Sequence, residues 1–204
     1  MVVTVRDRKR ARTRQAIVDA ATDLFERDGY DATTIADIAE AADIGTRTFF
    51  SYFDSKEQVL FSEGDARVRA AVDAIAAREP DDRPATVLLR ALRAVGNDND
   101  ELVSRQAVLR LQLIRTVPAV RGRALQIQLD AQRAIAGHLA AAFPDDIDEV
   151  GAAALTGAFV GAVTGALQVL LDRSDRPADA ALLKDALQQA ASVALTPWLD
   201  SSAP

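Results

Sequence analysis

The residues with the clearest potential for chemistry form a short polar run, Gly45-Thr46-Arg47-Thr48, within a chain of 204 residues. The guanidinium of Arg47 is planar and always charged, so its N–H donors can bond guanine O6 and N7 or grip a phosphate. The hydroxyls of Thr46 and Thr48 suit phosphate oxygens, and their methyl groups suit a thymine methyl. Gly45 adds no side chain and permits close approach. The run therefore offers the groups that nucleic-acid recognition uses, and the base and phosphate alternatives for Arg47 are equally open.

Two short helices position this run. Thr34 and Asp37 have the Thr-x-x-acid spacing of a helix start, and apolar residues three and four apart follow on one face. A break at 42–45 precedes a second short helix, whose Phe49 and Phe53 lie four apart on its buried side. Helix, tight turn and helix is the layout of a helix-turn-helix DNA-binding unit. A helical hairpin inside a bundle has the same periodicity.

Charge is distributed unevenly along the chain, whose net charge is −6. Residues 1–14 contain six basic side chains and one acidic one, whereas residues 15–60 contain three basic and ten acidic ones. A basic arm beside an acidic domain places positive charge where phosphates lie, which makes Arg10 and Arg12 candidates for phosphate contacts. The alternative is a solvated, frayed terminus, and both interpretations hold if the arm is disordered until DNA binds.

The composition gives little support for catalysis. The chain has no cysteine, a single histidine (His138) and no glycine-rich phosphate loop. The pairs Asp81-Asp82 and Asp145-Asp146 stand beside prolines, which is typical of loops and helix caps. A lone histidine with scattered carboxylates lacks the ligand spacing of a metal site. We therefore expect neither an enzyme nor a bound metal or cofactor.

The amino-acid types of the motif resemble the signature of a known family. The run from Thr34 to Ala42, followed by Thr48 to Glu57 with its Tyr-Phe pair and Ser-Lys-Glu helix start, is similar to the signature of the tetracycline-repressor (TetR-like) family. The similarity spans about residues 12–61. The chain departs from the signature at three positions: Gly45, Phe50 and Asp54. At Phe50 a hydroxyl that many members have for a phosphate contact is absent.

This resemblance implies a regulator of transcription, usually a repressor, that acts as a dimer on two half-sites of a pseudo-palindromic DNA operator. It implies that the second motif helix enters the major groove with Gly45–Thr48 toward the base edges. It also implies that Tyr52 and Lys56 contact phosphates, and Thr34 occupies the equivalent place at the start of the first motif helix. Lys56 lies in the first turn of its own helix, whose free N–H groups attract an anion as well.

An uncharged stretch of 22 residues, Val150–Leu171, has the length of a transmembrane helix. We favour a buried helix of a soluble protein, because Ala and Gly are weakly apolar and polar side chains interrupt the stretch. The charged N-terminus lacks a following apolar segment, so no signal peptide is expected. The sequence therefore predicts a cytoplasmic protein without a membrane partner.

The resemblance implies that the last two long helices, about 146–172 and 178–199, pack into a four-helix dimer bundle. Three glycines four apart would allow close approach of helices on one face. The residues expected at this homodimer interface are Gly157, Gly161, Gly165, Leu183, Leu187, Ala190, Ala194 and Trp198.

The resemblance further implies a small-molecule effector in a helical pocket, whose binding moves a long helix that begins at Ser55 and runs through Ile75. No motif marks this pocket. The candidate lining residues are Leu92, Gln106, Leu109, Arg110, Leu113, His138 and Phe159. The few aromatic residues give no sign of a pocket for a flat dye, and an acyl chain is our working suggestion for the effector.

The whole chain is predicted to be all-α, because no segment shows the alternation of a strand. About nine helices are expected, the first of them beginning near Arg12. They form a three-helix helix-turn-helix domain with its basic arm in residues 1–54, and a helical regulatory and dimerisation domain in residues 55–204. The functional hypothesis is a sequence-specific, dimeric repressor that a small molecule releases from its operator. The alternative is a helical interaction or membrane-associated protein without sequence-specific DNA binding.

Overall fold

The computed structural model describes residues 4–62, 64–97, 104–172 and 180–200, and these residues form ten helices without a strand. The helices are α1 (Val5–Arg27), α2 (Ile35–Ala41), α3 (Thr46–Phe50), α4 (Lys56–Leu60), α5 (Gly64–Ala76), α6 (Pro84–Asn97), α7 (Arg105–Thr116), α8 (Pro118–Ala142), α9 (Glu149–Asp172) and α10 (Ala180–Asp200). The all-α prediction is confirmed.

α4 and α5 replace the single long helix predicted from Ser55 through Ile75. The Ser55 hydroxyl accepts a hydrogen bond from the backbone N–H of Gln58, so the predicted helix start is correct. The helix nevertheless ends at Leu60, because Phe61 has left the helical conformation at φ −112° and ψ 23°. The prediction of one continuous helix was wrong, since apolar periodicity continues across a break that contains no proline.

α1 begins at Val5 and not near Arg12, which corrects the expectation of a disordered basic arm for residues 4–14. The Thr4 hydroxyl accepts from the backbone N–H of Asp7 at 3.2 Å, and the Asp7 carboxylate accepts from the backbone N–H of Thr4 at 3.0 Å. This is the same Thr-x-x-Asp spacing that marks α2, so the sequence carried the signal. Because the segment is helical, basic side chains four residues apart share one face.

Packing divides the chain into two compact units. The first unit comprises the described residues of 1–62 and 105–124, and the second comprises those of 63–104 and 125–204. The first unit therefore includes α4 and α7, whereas the sequence predicts both in a C-terminal domain that starts at residue 55.

The core of the first unit is built from α1, the two motif helices, α4 and α7. Gly29 ends α1 with a φ of 87°, a left-handed conformation that favours glycine, and lets the chain turn into α2. The buried apolar side chains include Ile17, Phe25, Ile38, Phe49, Phe53, Leu60, Leu109 and Leu113. This core fixes the directions of the helices that carry the polar motif.

The core of the second unit lies among α5, α6, the later part of α8, α9 and α10. Its buried side chains include Ile75, Leu88, Leu139, Phe143, Leu155, Phe159 and Leu195. The carboxylate of Asp148 accepts from the backbone N–H of Gly151 at 2.7 Å, so the start of α9 lies slightly later than the predicted residue 146.

Candidate nucleic-acid interface

The first motif helix, α2, begins with the predicted cap. The backbone N–H of Thr34 donates to the Asp37 carboxylate at 2.8 Å, and the backbone N–H of Asp37 donates to the Thr34 hydroxyl at 3.2 Å. The hydrogen bonds from the Thr34 hydroxyl and backbone lower the pKa of Asp37. Thr34 is exposed, so its position at the start of α2 is open to solvent.

The turn between the motif helices places a non-glycine residue in the left-handed region, since Asp43 has a φ of 53°. The backbone N–H of Ile44 donates to the carbonyl of Ala39 at 2.9 Å, which closes the turn. Gly45 is the N-cap of α3 and makes no side-chain cap bond. A Cβ placed on Gly45 would meet no atom within 4 Å, so packing within the chain does not require glycine there.

The second motif helix, α3, has five residues, of which only Phe49 is buried. The Phe49 ring is completely buried and its centre lies 5.9 Å from that of Phe53. The other four positions of α3 are exposed, and they include the three polar candidates: Thr46, Arg47 and Thr48. The structure therefore brings the predicted base-reading residues together on one open helix surface.

Of the two phosphate candidates on α1, Arg10 also contacts the segment after α3. Its Nη2 donates to the carbonyl of Ser51 at 3.4 Å, and its guanidinium carbon lies 5.0 Å from the centre of the Tyr52 ring. Tyr52 is half-buried, whereas Arg10 and Arg12 are both exposed. All three remain available to a DNA backbone, and their phosphate contacts stay predictions.

Lys56 makes internal contacts that the sequence did not reveal. Its Nζ donates to the carbonyls of Tyr30 at 2.8 Å and Thr33 at 3.0 Å, and it lies 4.0 Å from the centre of the Tyr30 ring. The hydroxyl of Tyr30 donates to the Glu57 carboxylate. An ammonium has three N–H donors, so a phosphate contact of Lys56 would use the third. α4 is thereby tied to the turn between α1 and α2.

This network also affects the ionisation of its members. Burial and the neighbouring Glu57 carboxylate raise the pKa of the Tyr30 hydroxyl, which stays protonated as a donor. Burial alone would raise the pKa of Glu57, but hydrogen bonds from Ser55 and Tyr30 outweigh it and lower that pKa. The pair is therefore a neutral donor and a charged acceptor at neutral pH.

Two pocket candidates on α7 contact the end of α4. The side-chain amide of Gln106 donates to the carbonyl of Val59 at 3.0 Å, and the buried Arg110 donates from Nη1 to the carbonyl of Leu60 at 3.2 Å. The last carbonyls of a helix lack intrahelical partners, and a guanidinium near them also complements the helix dipole. Gln106 and Arg110 therefore have a contact that the sequence did not reveal, and their place in an effector pocket stays a prediction.

The remaining pocket candidates are distributed over both units. Leu109 and Leu113 are buried in the first core, whereas Phe159 is buried in the second and Leu92 packs against it. His138 is exposed, with its Nδ1 2.8 Å from the carbonyl of Ala134. Two surface depressions are lined by residues other than these candidates. One, of about 520 Å³, is lined by residues within 36–46, and the other, of about 530 Å³, by residues within 136–149. That these seven candidates line one effector pocket stays a prediction, because helical spacing does not say which neighbour a face meets.

The predicted dimer residues fall into two groups. Leu183 and Leu187 are almost completely buried within the chain, so their assignment to an interface with another copy is corrected. A Cβ on Gly157, Gly161 or Gly165 would meet no atom of the described residues within 4 Å, so each of these glycines has open space beside it. Ala190, Ala194 and Trp198 are half-buried.

One helix among the described residues, Glu149–Leu170, is long and apolar enough to cross a membrane, and 22% of it is buried within the chain. Length and composition of this kind also occur in the core helices of soluble proteins. No group of three potential metal ligands occurs in the part of the chain that the structure describes.

A helix-turn-helix held in a bundle by α1 and α4, with its second helix open to solvent, defines a DNA-binding class of protein. Residues 17–62 match the bacterial regulatory proteins of the tetR family, and residues 82–194 match the MftR C-terminal domain. The chain belongs to the tetR family of bacterial regulatory proteins, as the motif predicted.

Two curated relatives are similar in sequence. The chain is 36% identical over 120 residues to the HTH-type transcriptional regulator TcmR of Streptomyces glaucescens, a match that covers 58% of this chain and 53% of TcmR. It is 44% identical over 48 residues to the regulator HbdR of Aromatoleum sp. strain CIB, covering 24% of this chain and 21% of HbdR. The matches thus span about half and about a fifth of these relatives.

Solved structures share the fold at lower identity. A TetR-family transcriptional regulator from Syntrophomonas wolfei is 16% identical with a TM-score of 0.63, and covers 91% of this chain and 96% of that one. Thermus thermophilus FadR, a TetR-family repressor solved in complex with lauroyl-CoA, is 22% identical with a TM-score of 0.54, and covers 94% of this chain and 97% of FadR. These similarities concern the fold alone.

Proposed function

We propose that this chain is a homodimeric transcriptional repressor that binds a pseudo-palindromic operator and is released from it by a small-molecule effector. The observation that carries the proposal is the surface of α3, where Thr46, Arg47 and Thr48 are exposed while Phe49 anchors the helix in the core. An exposed helix of this kind fits the major groove, where each base pair presents a distinct pattern of donors and acceptors.

In this proposal Arg47 reads a base, Thr46 and Thr48 contact a thymine methyl or a phosphate, and Gly45 allows the backbone close to the DNA. The phosphate contacts are made by residues around this helix: Thr34, Tyr52, Lys56, Arg10 and Arg12. Phosphate contacts fix the register of a protein on the duplex, and base contacts supply its sequence preference.

The second copy is proposed to dock on α9. Its three-glycine face, Gly157, Gly161 and Gly165, has open space for a Cβ among the described residues, and most positions of α9 are not fully buried. Small residues four apart let two helix backbones approach closely. A twofold dimer places two copies of α3 on half-sites separated by one helical turn of DNA or a multiple of it.

Regulation is the role of the family, so we propose a cytoplasmic protein without catalytic activity of its own. The alternative of a helical interaction or membrane-associated protein is less favoured, because the chain belongs to a DNA-binding family. The apolar character of the second core is compatible with an acyl-chain effector, and FadR, which shares the fold, was solved with lauroyl-CoA. Lauroyl-CoA is therefore the first effector to test.

The test is selection of bound duplexes from a random DNA pool by the full-length chain, with and without lauroyl-CoA. We expect enrichment of a pseudo-palindromic site, with affinity that falls steeply as salt rises because phosphate contacts release counterions. Lower occupancy with lauroyl-CoA would support an acyl effector, and unchanged occupancy would count against it. A pool without any enriched site would contradict the repressor proposal and leave the helical interaction protein as the better explanation.

A further inference from the structure

A half-buried arginine of α1 joins the segments that follow the recognition helix and α4. Arg14 donates from Nη1 to the carbonyl of Tyr52 at 3.3 Å and from Nη2 to the carbonyl of Ser62 at 3.4 Å. Its guanidinium carbon lies 4.4 Å from the centre of the buried Phe53 ring. One planar side chain thus contacts two backbone carbonyls and an aromatic face at once.

The recognition helix needs such a contact because it is short. α3 has five residues and one buried side chain, and a helix of this length is unstable by itself in water. Its N-cap, Gly45, supplies no side-chain hydrogen bond. Polar contacts to the segment that follows α3 therefore contribute to its direction, and a guanidinium there also complements the helix dipole.

The periodicity of α1 separates this arginine from the phosphate candidate beside it. Arg10 and Arg14 are four residues apart and share the face that contacts residues 51–53. Arg12 lies two residues from each, about 200° around the helix, and is exposed. The two faces of one basic segment are thus suited to different tasks.

We propose that Arg14 is a positioning residue for DNA recognition: it holds the end of α3 relative to the end of α4 from inside the protein and contacts no phosphate. The inference rests on the proposed DNA-binding function. It states that the basic residues of α1 do not all act as an electrostatic arm, and that Arg14 affects base reading through the carbonyls of Tyr52 and Ser62.

The experiment compares Arg14→Gln and Arg14→Lys with the matched variants Arg12→Gln and Arg12→Lys in the full-length chain. Each Gln variant removes one positive charge from the same helix, and each Lys variant keeps it. Binding is measured against the duplex enriched by the wild-type chain and against a scrambled duplex of the same length, over a range of salt concentrations. Melting temperature is recorded for every variant, and binding is measured well below it.

We expect Arg14→Gln to lower affinity for the enriched duplex by roughly tenfold or more, the magnitude of a displaced base contact. The affinity of Arg14→Gln for the scrambled duplex should fall much less, and the slope of log affinity against log salt concentration should stay at its wild-type value. Arg12→Gln should weaken both duplexes alike and reduce that slope by about 0.9. Arg14→Lys should not restore affinity, because a single ammonium cannot span both carbonyls while lying on the ring, whereas Arg12→Lys should restore it.

The inference is overturned if Arg14→Gln reduces the salt slope as much as Arg12→Gln does, or if Arg14→Lys binds as the wild type does. If Arg14→Gln does not fold, the charge-conserving Arg14→Lys variant tests the inference. A selective loss of affinity for the enriched duplex would support it, and wild-type discrimination between the two duplexes would overturn it. A wild-type chain that enriches no duplex would instead contradict the proposed function itself, so the two failures are distinguishable.

Discussion

The two units of the chain are stabilised in different ways. In the first unit, side chains of one helix bond the backbone or side chains of another across long separations in sequence. Lys56 bonds the turn at Tyr30 and Thr33, and Arg110 bonds the carbonyl of Leu60. Such bonds have defined directions, so they fix where each helix points as well as how stable the unit is.

The second unit depends mainly on apolar packing. Most of its core side chains are aliphatic, as at Leu139, Leu155 and Leu195, and the hydroxyl of Thr156 is completely buried without a hydrogen-bond partner among the described residues. Apolar attraction is not directional, so it constrains the direction of a helix less than a hydrogen bond does. A long-range hydrogen bond is also present in this unit, from Arg83 Nη1 to the carbonyl of Leu199 at 3.0 Å. The contrast indicates that single polar substitutions should alter function through the first unit far more than through the second.

The largest expected effect comes from the core that supports α3. Phe53→Ala should lower the free energy of unfolding by about 3–5 kcal/mol, because a completely buried ring is replaced by a cavity. Phe50→Ala is the control, since Phe50 is 53% exposed and should cost about 0.5 kcal/mol or less. Urea unfolding of both variants measures the two losses in free energy of unfolding. Similar losses would contradict the expectation that the buried ring contributes more to stability than the exposed one.

The next effect concerns recognition and leaves stability alone. Arg47→Ala should lose about 1–3 kcal/mol of discrimination between the operator and other DNA, because the variant cannot make the proposed bidentate contact to one base. The exposed side chain makes a change in melting temperature unexpected. Titration of the enriched and scrambled duplexes measures the discrimination. Equal losses on both would assign Arg47 to a phosphate.

A smaller effect is expected in the polar network of the first unit. Tyr30→Phe should cost about 1–2 kcal/mol, because the Glu57 carboxylate loses a donor in a half-buried place. The folded-state pKa of Tyr30 is raised above its unfolded value near 10, so its contribution is complete below pH ~10 and lost as pH rises beyond it. Urea unfolding between pH 7 and 11 should show a fall in wild-type stability at alkaline pH that Tyr30→Phe lacks in part. If the stability of the wild type and of Tyr30→Phe fell equally with rising pH, the ionisation of Tyr30 would not be the cause of the fall.

In the second unit the informative change is at a glycine. Gly161→Ala should stabilise the monomer by about 0.5–1 kcal/mol through helix propensity, because a Cβ there meets nothing within 4 Å. It should weaken the dimer if Gly161 lies at a close helix contact between copies. Gly122→Ala on α8 is the control, with the same open space at its Cβ. Sedimentation equilibrium over a dilution series measures the dimer dissociation constant of each variant. Equal dissociation constants for Gly161→Ala and Gly122→Ala would exclude the glycine face from the dimer contact.

The smallest effect is expected at an exposed ion-pair cluster. Arg105 pairs with Asp23 at 2.6 Å and with Glu26 at 2.5 Å, and the hydrogen bonds that it donates to Glu26 and Asp23 raise its pKa. Its side chain is 59% exposed, so solvent screens the attraction. Arg105→Ala should shift the melting temperature slightly at low salt and not at 1 M salt. A large shift that persists at high salt would mean that α7 is held by this cluster.

The sequence predicted local features well because their determinants are local. The cap of Thr34 and Asp37 spans four residues, and the burial of Phe49 follows from its spacing to Phe53. The family signature added the order of the helices around the turn. Even here one local signal was missed, the identical cap at Thr4 and Asp7 that starts α1 earlier than predicted.

Contacts between distant residues were not predictable in the same way. Gln106 and Arg110 are four apart on α7, a spacing that says they share a face but not whether that face meets a ligand or the end of α4. Leu183 and Leu187 are likewise four residues apart on α10, and this spacing is the same for a face that packs inside the chain and for one that packs against another copy. Periodicity defines a face, and only the tertiary arrangement defines its partner.

The single buried residue of α3 also bears on how binding preference changes over evolution. Folding depends on Phe49, whereas Thr46, Arg47, Thr48 and Phe50 are exposed and contribute little to the core. If α3 contacts the operator as proposed, substitutions at those four positions can change the preferred operator with little loss of stability. The binding preference can then change in evolution without first passing through unfolded variants.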